Sequence, residues 1–264
     1  MSALQKNPLR RKSAALVSAI TITAVLIIWW AVTGMHGIDP LFLPSPGAVL
    51  AKFAEVWREG YVDATLLQHL AASLLRVFAA LAAAIILGVP VGLAIGTSTI
   101  GRGIFDPLVE FLRPIPPLAY LPLIVIWLGI GETSKIVVIG IAMFSPIAIS
   151  TAAGVRSVAP NRIDAARAFG ARGWQLLLHV RLPSALPEIL TGVRIALGAG
   201  WSTLVAAELV AATRGLGFMI QSAAQFLVTD VVIMGILVIA GVAFLLEAGV
   251  RLLERWLVPW RGKL

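Results

Sequence analysis

The chain has 264 residues, of which 59% are hydrophobic and only 13% are charged. Soluble domains carry about a quarter charged residues, and one core of this size could not bury so much apolar surface, so the composition excludes a soluble fold. The net charge of +8 comes from residues between apolar runs, which is typical of loops at the cytoplasmic face of a membrane rather than of a nucleic-acid-binding patch. The absence of cysteine excludes disulfides and thiolate metal sites.

Six apolar runs are long enough to cross a membrane, since a helix needs about 20 residues to span a hydrocarbon core of roughly 30 Å. The predicted spans cover residues 14–34, 77–96, 105–130, 136–155, 185–212 and 231–250, and an earlier start of the second one, near Thr65, is left open. The first run is too long for the apolar part of a cleaved signal peptide, and no A-x-A site follows it, so we expect it to be retained. These runs predict an all-α integral membrane protein, with residues 1–264 forming one transmembrane domain.

Prolines and tryptophans add detail to this pattern. The third run contains several prolines and therefore cannot be one straight helix. They are Pro107, Pro114, Pro116, Pro117 and Pro122. Tryptophans near the ends of the first and last runs are predicted to anchor them at the membrane interface. These are Trp29, Trp30, Trp256 and Trp260.

A short amphipathic helix is predicted between the first two runs. Ser45 is suited to cap it, and Pro46 is suited to its first turn. Its apolar face comprises Val49, Leu50, Phe53, Val56 and Trp57. That face suits either the membrane surface or packing on other protein, and the pattern leaves both open.

Orientation is predicted from lysine and arginine, which accumulate in cytoplasmic loops. With the N-terminus inside, fourteen of these residues fall in cytoplasmic segments and five in external ones. Both termini are therefore predicted to be cytoplasmic.

The longest cytoplasmic segment, residues 157–184, has more internal order than a connector needs. Apolar and small residues recur at helical spacing on both sides of Gly170, which predicts two short helices with a break at that glycine. Arg162, Arg167 and Arg172 lie among them. Such a segment suits docking into a groove of another protein or binding to anionic headgroups, and its periodicity does not decide between them.

The order of residues in this loop resembles the EAA loop of ABC-importer permeases. That pattern reads Glu-Ala-Ala, three residues, Gly, nine residues, Ile, any residue, Leu-Pro. The same spacing is occupied here by Asp164, Ala165, Ala166, Gly170, Val180, Leu182 and Pro183. Asp164 stands in place of glutamate and Val180 in place of isoleucine, and both keep the chemical type.

Other segments resemble the nitrate, sulfonate and taurine branch of that family. They are residues 41–46, 113–119, 129–135, 200–209 and 211–219. The resemblance implies the type I ABC-importer permease fold, with six transmembrane helices, in the bacterial inner membrane. It also implies that the cargo is taurine or a related organosulfonate, with another alkanesulfonate or nitrate as the alternative.

The resemblance further implies a division of labour among several partners. Two copies of the permease form the pathway, an ATPase dimer binds the cytoplasmic loops, and a periplasmic solute-binding protein delivers the cargo. The chain has no G-x-x-x-x-G-K-[ST] phosphate loop, so ATP and Mg²⁺ are expected in the ATPase, with no cofactor or metal here. Besides these proteins only membrane lipid is expected as a partner. The implied coupling residues are Asp164, Ala165, Ala166, Gly170, Leu182 and Pro183, with Phe169 as an apolar anchor.

Two ionisable residues lie inside the fifth run, where such groups are costly and are candidates for function. Arg194 could bind a sulfonate through two N–H groups, or it could extend to the interface or pair with Glu188. Glu208 lies about 21 Å further along nearly the same helical face and is either a gate or a helix-pairing group. Trp201 and Thr203 lie between them and either line the substrate pathway or pack against other helices.

Enzymatic activity is not expected, because the sequence has no nucleophile–base pair, metal cluster or dinucleotide fingerprint. The alternative of a different class is an ion-coupled secondary transporter. It would require polar residues concentrated at mid-membrane and usually an internal repeat, and neither is prominent in the sequence.

Overall fold

The computed structural model describes residues 8–34 and 38–259. Trp260 and the basic residues Lys6 and Lys263, which contribute to the predicted anchors and orientation, lie outside these ranges. The regular structure of the described residues is helical, which confirms the predicted all-α class. The helices are α1 (Pro8–Gly34), α2 (Pro46–Glu59), α3 (Leu66–Thr97), α4 (Thr99–Leu112), α5 (Leu121–Leu128), α6 (Glu132–Arg156), α7 (Pro160–Ala168), α8 (Trp174–Leu176), α9 (Leu182–Ala211), α10 (Leu216–Gln225) and α11 (Thr229–Leu257).

Five helical stretches of the described chain are long and apolar enough to cross a membrane. They are Leu16–Gly34, Leu66–Thr97, Glu132–Arg156, Trp174–Val210 and Thr229–Leu257. A sixth arises when Thr99–Leu112 and Pro117–Leu128, which meet at an angle of 93°, count as one broken span. The bend falls within the third predicted run, at Pro114, Pro116 and Pro117, which lack the N–H groups that a continuous helix requires.

The second spanning helix, α3, begins at Leu66, well before the predicted run 77–96. A capping box defines its start: the Gln68 N–H donates to Thr65 Oγ1 at 3.2 Å, and the Thr65 N–H donates to Gln68 Oε1 at 2.9 Å. Polar residues in its first turns concealed this start from a hydropathy-based prediction. They are His69, Ser73 and Arg76, and all three are buried.

The centre of the bundle is α6, which packs between α3 and α9. Small residues make these contacts close. A Cβ at Gly92 of α3 would overlap the backbone oxygen of Ala148, and one at Gly192 of α9 would lie 2.6 Å from the Cβ of Ser150. Small residues therefore set the helix spacing, as is common in membranes, where lipid is as apolar as the helices themselves. The main apolar core lies along these contacts and includes Val77, Ala80, Ile139, Met143, Ile147, Ala196 and Leu204.

The two apolar sides of the short helix α2 differ in burial. Ser45 caps its first turn through its side-chain oxygen. Val49 and Val56 are buried in a cluster shared with α10 and α11. Leu50 and Trp57 are 70% and 52% exposed. The predicted apolar face is thus divided, with one side packed on protein and the other outside the contacts of this chain.

The loop 157–184 differs from its prediction in its second half. α7 is a separate short helix, and Gly170 follows it with a φ of +87°. α8, however, continues through a π-helical turn, Leu177–Arg181, directly into α9. Leu182 and Pro183 are expected from the resemblance to end the loop and lead into the fifth span, but they lie within a continuous helix. The Leu182 N–H bonds to the Leu177 carbonyl five residues back, so the missing N–H of Pro183 falls where the hydrogen-bond pattern changes register.

Candidate functional site

The surface formed by α7 and the turn after it, residues 160–173, is called the α7 surface below. α7 has no buried residue, and the side chain of Phe169 is 93% exposed. A side chain added at Gly170 would meet no other atom within 4 Å. A fully exposed aromatic side chain on a surface without a core of its own is typical of an interaction site.

Glycine is favoured at position 170 by its backbone conformation and not by a lack of space for a side chain. Its φ of +87° lies in the left-handed region that favours glycine. Its N–H donates to the Arg167 carbonyl at 2.9 Å, and the Ala171 N–H donates to the Ala166 carbonyl at 3.0 Å, which closes the end of α7. Asp164 is exposed and pairs with Arg167 at 3.4 Å, an arrangement that contributes little to stability.

The structure brings five of the predicted coupling residues together and separates the other two. Asp164, Ala165, Ala166, Phe169 and Gly170 lie on the α7 surface. Leu182 and Pro183 lie across the π-helical turn, where Leu182 packs against the buried side chains of Val155 and Ile189. The coupling role of all seven residues remains a prediction.

A cavity of about 590 Å³ between α9 and α11 contains two of the predicted pathway residues, Arg194 and Trp201. Trp201 is buried, and its Nε1–H has no hydrogen-bond partner in the described part of the chain. Glu247 lines the same cavity and pairs with Arg251 at 3.6 Å. Within the described ranges no ion pair joins Arg194 to Glu188, so the predicted pairing is not seen and the pathway role stays a prediction.

The other two predicted pathway residues, Thr203 and Glu208, do not line this cavity. Thr203 is buried, and its hydroxyl donates to the Ala199 carbonyl of the same helix at 2.9 Å. Glu208 belongs to an ionic network between α3, α6, α9 and the turn before α10, in which Glu208, Arg76 and Lys135 are buried and Glu132 is partly exposed. The structure therefore does not bring the four candidates into one site.

The Glu208 carboxylate accepts from three donors. Arg76 Nη1 and Ser73 Oγ donate to its Oε1 at 2.6 and 2.8 Å, and the Gly217 N–H donates to its Oε2 at 2.8 Å. Ser73 Oγ in turn accepts from the Leu216 N–H at 2.9 Å. A buried carboxylate held by an opposite charge and two further hydrogen bonds favours the helix-pairing interpretation of Glu208 over the gate.

Arg76 is the centre of this network. Its Nε and Nη2 donate to the two oxygens of Glu132 at 2.5 and 2.8 Å, and Nη1 also donates to the Arg214 carbonyl at 2.7 Å. Lys135 Nζ adds a bond of 2.8 Å to Glu132. Two cations thus face two carboxylates, Glu132 and Glu208, and their formal charges cancel within the bundle.

The turn before α10 is shaped around the network. Gly215 has a φ of +136°, and a Cβ at this position would overlap the Glu208 carboxylate. The Gly215 N–H donates to His69 Nδ1 at 3.1 Å, and His69 Nε2 lies 2.9 Å from the Tyr61 carbonyl. Because Nδ1 accepts and Nε2 donates, these contacts assign His69 its neutral Nε2–H form.

The partners of Glu208 are not among the predicted site residues. His69, Ser73 and Arg76 are spaced at i, i+4 and i+7, which places them on one helical face. That spacing could have identified them as one polar face of a helix, but their low hydropathy assigns them to a loop. Glu132 and Lys135 are likewise one turn apart at the start of α6.

Residues 66–259 match the family described as the binding-protein-dependent transport system inner membrane component. The chain belongs to this family. It is therefore a multi-pass permease of the bacterial inner membrane, and the matched residues include the ionic network, the cavity and the α7 surface. Membership leaves the alternative of an ion-coupled secondary transporter without support.

Three relatives show the breadth of the similarity. The permease is 60% identical over 244 residues to the taurine transport system permease protein TauC of Escherichia coli (strain K12), covering 92% of this chain and 89% of that one. It is 35% identical over 260 residues to the putative aliphatic sulfonates transport permease protein SsuC of Bacillus subtilis (strain 168), covering 98% and 93%. It is 32% identical over 266 residues to the nitrate import permease protein NrtB of Synechocystis sp., covering 98% and 96%.

Solved structures support the fold. The permease superposes on a chain of the MetNI methionine ABC transporter in an inward-facing conformation with a TM-score of 0.65 and 22% identity, covering 73% of this chain and 95% of that one. An amino acid ABC transporter crystallised with histidines gives a TM-score of 0.60 at 17% identity, covering 78% and 94%. The predicted ABC-importer permease fold is confirmed.

Proposed function

We propose that this permease is the membrane-spanning subunit of an ATP-driven importer for taurine or a related organosulfonate. The observation that carries the proposal is the 60% identity, over 92% of the chain, to a protein named for taurine transport. The lower identities of 35% and 32% to proteins named for aliphatic sulfonates and nitrate make those anions the alternatives.

The proposed assembly contains two copies of this permease, an ATPase dimer and a periplasmic binding protein. ATP and Mg²⁺ are used by the ATPase. The α7 surface supports docking to that ATPase, because Phe169 is exposed as an apolar anchor and Gly170 permits close approach of a partner.

Coupling is proposed to be a population shift between inward-open and outward-open states. Closure of the ATPase dimer moves the docked α7 surface, and it favours one state only if the docking contacts differ in free energy between the two states. α8 and the π-helical turn connect this surface to α9, which carries Arg194, Trp201, Thr203 and Glu208. The pathway candidates thus lie on the helix that receives the movement.

Reconstitution with the ATPase and the binding protein in proteoliposomes tests the proposal. We expect ATP-dependent taurine uptake, and ATPase turnover that rises with taurine-loaded binding protein. Calorimetry of the binding protein with taurine, other alkanesulfonates and nitrate identifies the cargo. Tight nitrate binding without a taurine signal would overturn the taurine assignment, and uptake driven by an ion gradient without ATP would overturn the importer.

A further inference from the structure

A second cavity, of about 340 Å³, adjoins α9 where the broken span bends between α4 and α5. It is called the break cavity below. Residues of the bend, of α6 and of α9 line it. The polar side chains among them are Arg113, Tyr120, Ser145 and Ser150.

The break cavity lies near the middle of the membrane. Its α6 residues, 141–150, lie in the middle of Glu132–Arg156, and its α9 residues, Ile195 and Ala199, lie in the middle of Leu182–Ala211. α4 has 14 residues and therefore rises about 21 Å from the turn after α3 before it reaches the bend. Transport proteins typically bind substrate at this depth, beside discontinuous helices.

The side chain of Arg113 is exposed at the bend of the broken span. Among the described residues its side chain forms no ion pair and no hydrogen bond. Arg76, by contrast, is buried and is held by two carboxylates and a carbonyl. A cation inside a span is costly and is expected to meet an anion or water. An uncompensated one lining a cavity is therefore suited to an anionic ligand.

The hydroxyls around Arg113 complete the set of donors. Ser145 is only 6% exposed, and within the described structure neither Ser145 nor Ser150 has a side-chain hydrogen bond. The Tyr120 hydroxyl lies 3.3 Å from the Leu112 carbonyl, a contact that holds its ring against the bend. The serine hydroxyls are thus available to donate to a ligand oxygen.

We propose that the break cavity binds the sulfonate group of the cargo, with Arg113 as its counter-ion and the hydroxyls of Ser145 and Ser150 as further donors. The inference rests on the proposed function, an importer of small organosulfonates. A guanidinium matches a planar pair of ligand oxygens with two parallel N–H groups. A volume of about 340 Å³ is at the small end of the range for ligand pockets, roughly 300–1,000 Å³, and suits a two-carbon sulfonate.

The charges around the two cavities favour this one as the anion site. Glu247 lines the Arg194 cavity and disfavours an anion there, although Arg251 pairs with it at 3.6 Å. In the described structure no carboxylate lines the break cavity. The cavities adjoin at Ile195, which lines both, so Arg194 keeps its predicted place along the pathway while Arg113 provides the binding charge.

The cysteine-free chain allows a direct test by thiol labelling. Ser145→Cys, in the reconstituted complex, is labelled with two methanethiosulfonates of similar size, one carrying an ethylsulfonate and one an ethyltrimethylammonium group. We expect the anionic reagent to react roughly tenfold faster than the cationic one, the factor given by about 1.4 kcal/mol of charge interaction, and taurine to slow it. Arg113→Gln should abolish that preference and the protection, and Arg113→Lys should retain the preference.

The matched control is Ser202→Cys, which lines the Arg194 cavity and not the break cavity. Arg113→Gln should leave its ratio of labelling rates unchanged. Because the ratio is internal to each variant, lower expression does not alter it. An unchanged ratio at Ser145→Cys in Arg113→Gln, or labelling insensitive to taurine, overturns the site.

Uptake by the unsubstituted transporter separates the two proposals. One outcome is that the unsubstituted transporter imports taurine normally with ATP while Arg113→Gln leaves the ratio of labelling rates at Ser145→Cys unchanged. That outcome counts against the break cavity and not against the proposed function. Failure of the unsubstituted transporter to import taurine counts against the proposed function, whatever the labelling shows. Normal uptake with an at least tenfold loss in Arg113→Gln and none in Arg58→Gln, an exposed arginine of α2, supports both proposals.

Discussion

Arg76 is the counter-ion of two carboxylates, so the consequence of removing it depends on what it leaves behind. In Arg76→Met the buried Glu208 would keep its charge without a cation. Breaking a buried pair in this way destabilises proteins by about 3–5 kcal/mol. We expect a marked fall in the thermal unfolding temperature of the purified permease.

Arg214 provides the control, because its carbonyl and not its exposed side chain contacts the network. Arg214→Met should change stability by no more than about 0.5 kcal/mol. The double variant Arg76→Met/Glu208→Met should recover much of the loss, since neither charge is then stranded. Equal losses in the two arginine variants would contradict the role of the Arg76 side chain.

Gly215 is constrained both by conformation and by space. In Gly215→Ala the residue would keep a φ of +136°, and its Cβ would overlap the Glu208 carboxylate. We expect a loss of about 1–3 kcal/mol, measured as a lower unfolding temperature. Gly103→Ala, in α4 with no atom within 4 Å of an added Cβ, should be neutral or slightly stabilising. A Gly215→Ala protein as stable as Gly103→Ala would contradict this account.

The sequence indicated some of the charged residues as candidates for function and not others. Glu208 stands out because it is a charge within an apolar run. Arg76 has the same depth in the fold but precedes its run, so a hydropathy boundary assigns it to a loop. Arg113 falls among prolines at a bend, and its exposure to a cavity depends on α6 and α9, which are distant in sequence.

At the scale of elements, the α7 surface is the part of the chain whose proposed role is most open to direct test. Gly170→Glu would place a charged side chain at the docking site and strain a backbone with φ of +87°. We expect loss of ATPase association and of transport, while the protein still inserts in the membrane. Co-purification of the ATPase with the variant measures the first effect, and proteoliposome uptake measures the second.

Gly47→Glu is a matched control, because it adds the same charge at an exposed glycine in the first turn of α2, where an acidic residue suits the helix dipole. It should retain both ATPase association and transport. Normal uptake by Gly170→Glu would contradict the coupling proposal.

The starts and breaks of helices were predictable where they depend on a few neighbouring residues. Proline chemistry indicates the broken third span, and the Ser45–Pro46 pair indicates the start of α2. That α8 continues into α9 was not predictable. A π-helical turn forms when a backbone N–H bonds to the carbonyl five residues back instead of four, and the sequence does not reveal which of the two is used. Pro183 and the loop-like composition before it are equally compatible with a loop that ends at Leu182 and Pro183, which is the arrangement predicted from the sequence.

For the whole molecule, the first spanning helix keeps its apolar surface free for lipid or a second copy, since none of the apolar window in Leu16–Gly34 is buried against the rest of the described chain. The proposed assembly predicts two permease copies with two ATPase copies, which native mass spectrometry of the purified transporter would count. A complex with one permease copy would contradict this stoichiometry.

Hydropathy and a family resemblance were sufficient for the all-α membrane class, with its five or six candidate spans, and for the family. The depth and pairing of charges were not accessible in this way, because they depend on contacts between α3, α6 and α9 that are far apart in the chain.

The π-helical turn gives the permease a mechanical property. From Trp174 to Val210 the chain is one helix of 37 residues, about 55 Å long, which behaves as a stiff rod. If the α7 surface is displaced, a continuous helix would carry the displacement as tilt or translation towards Glu208 near its far end. The wider turn at Leu177–Arg181 is the section where such a rod yields first, and its stiffness would set how much of each ATPase stroke arrives at the far end.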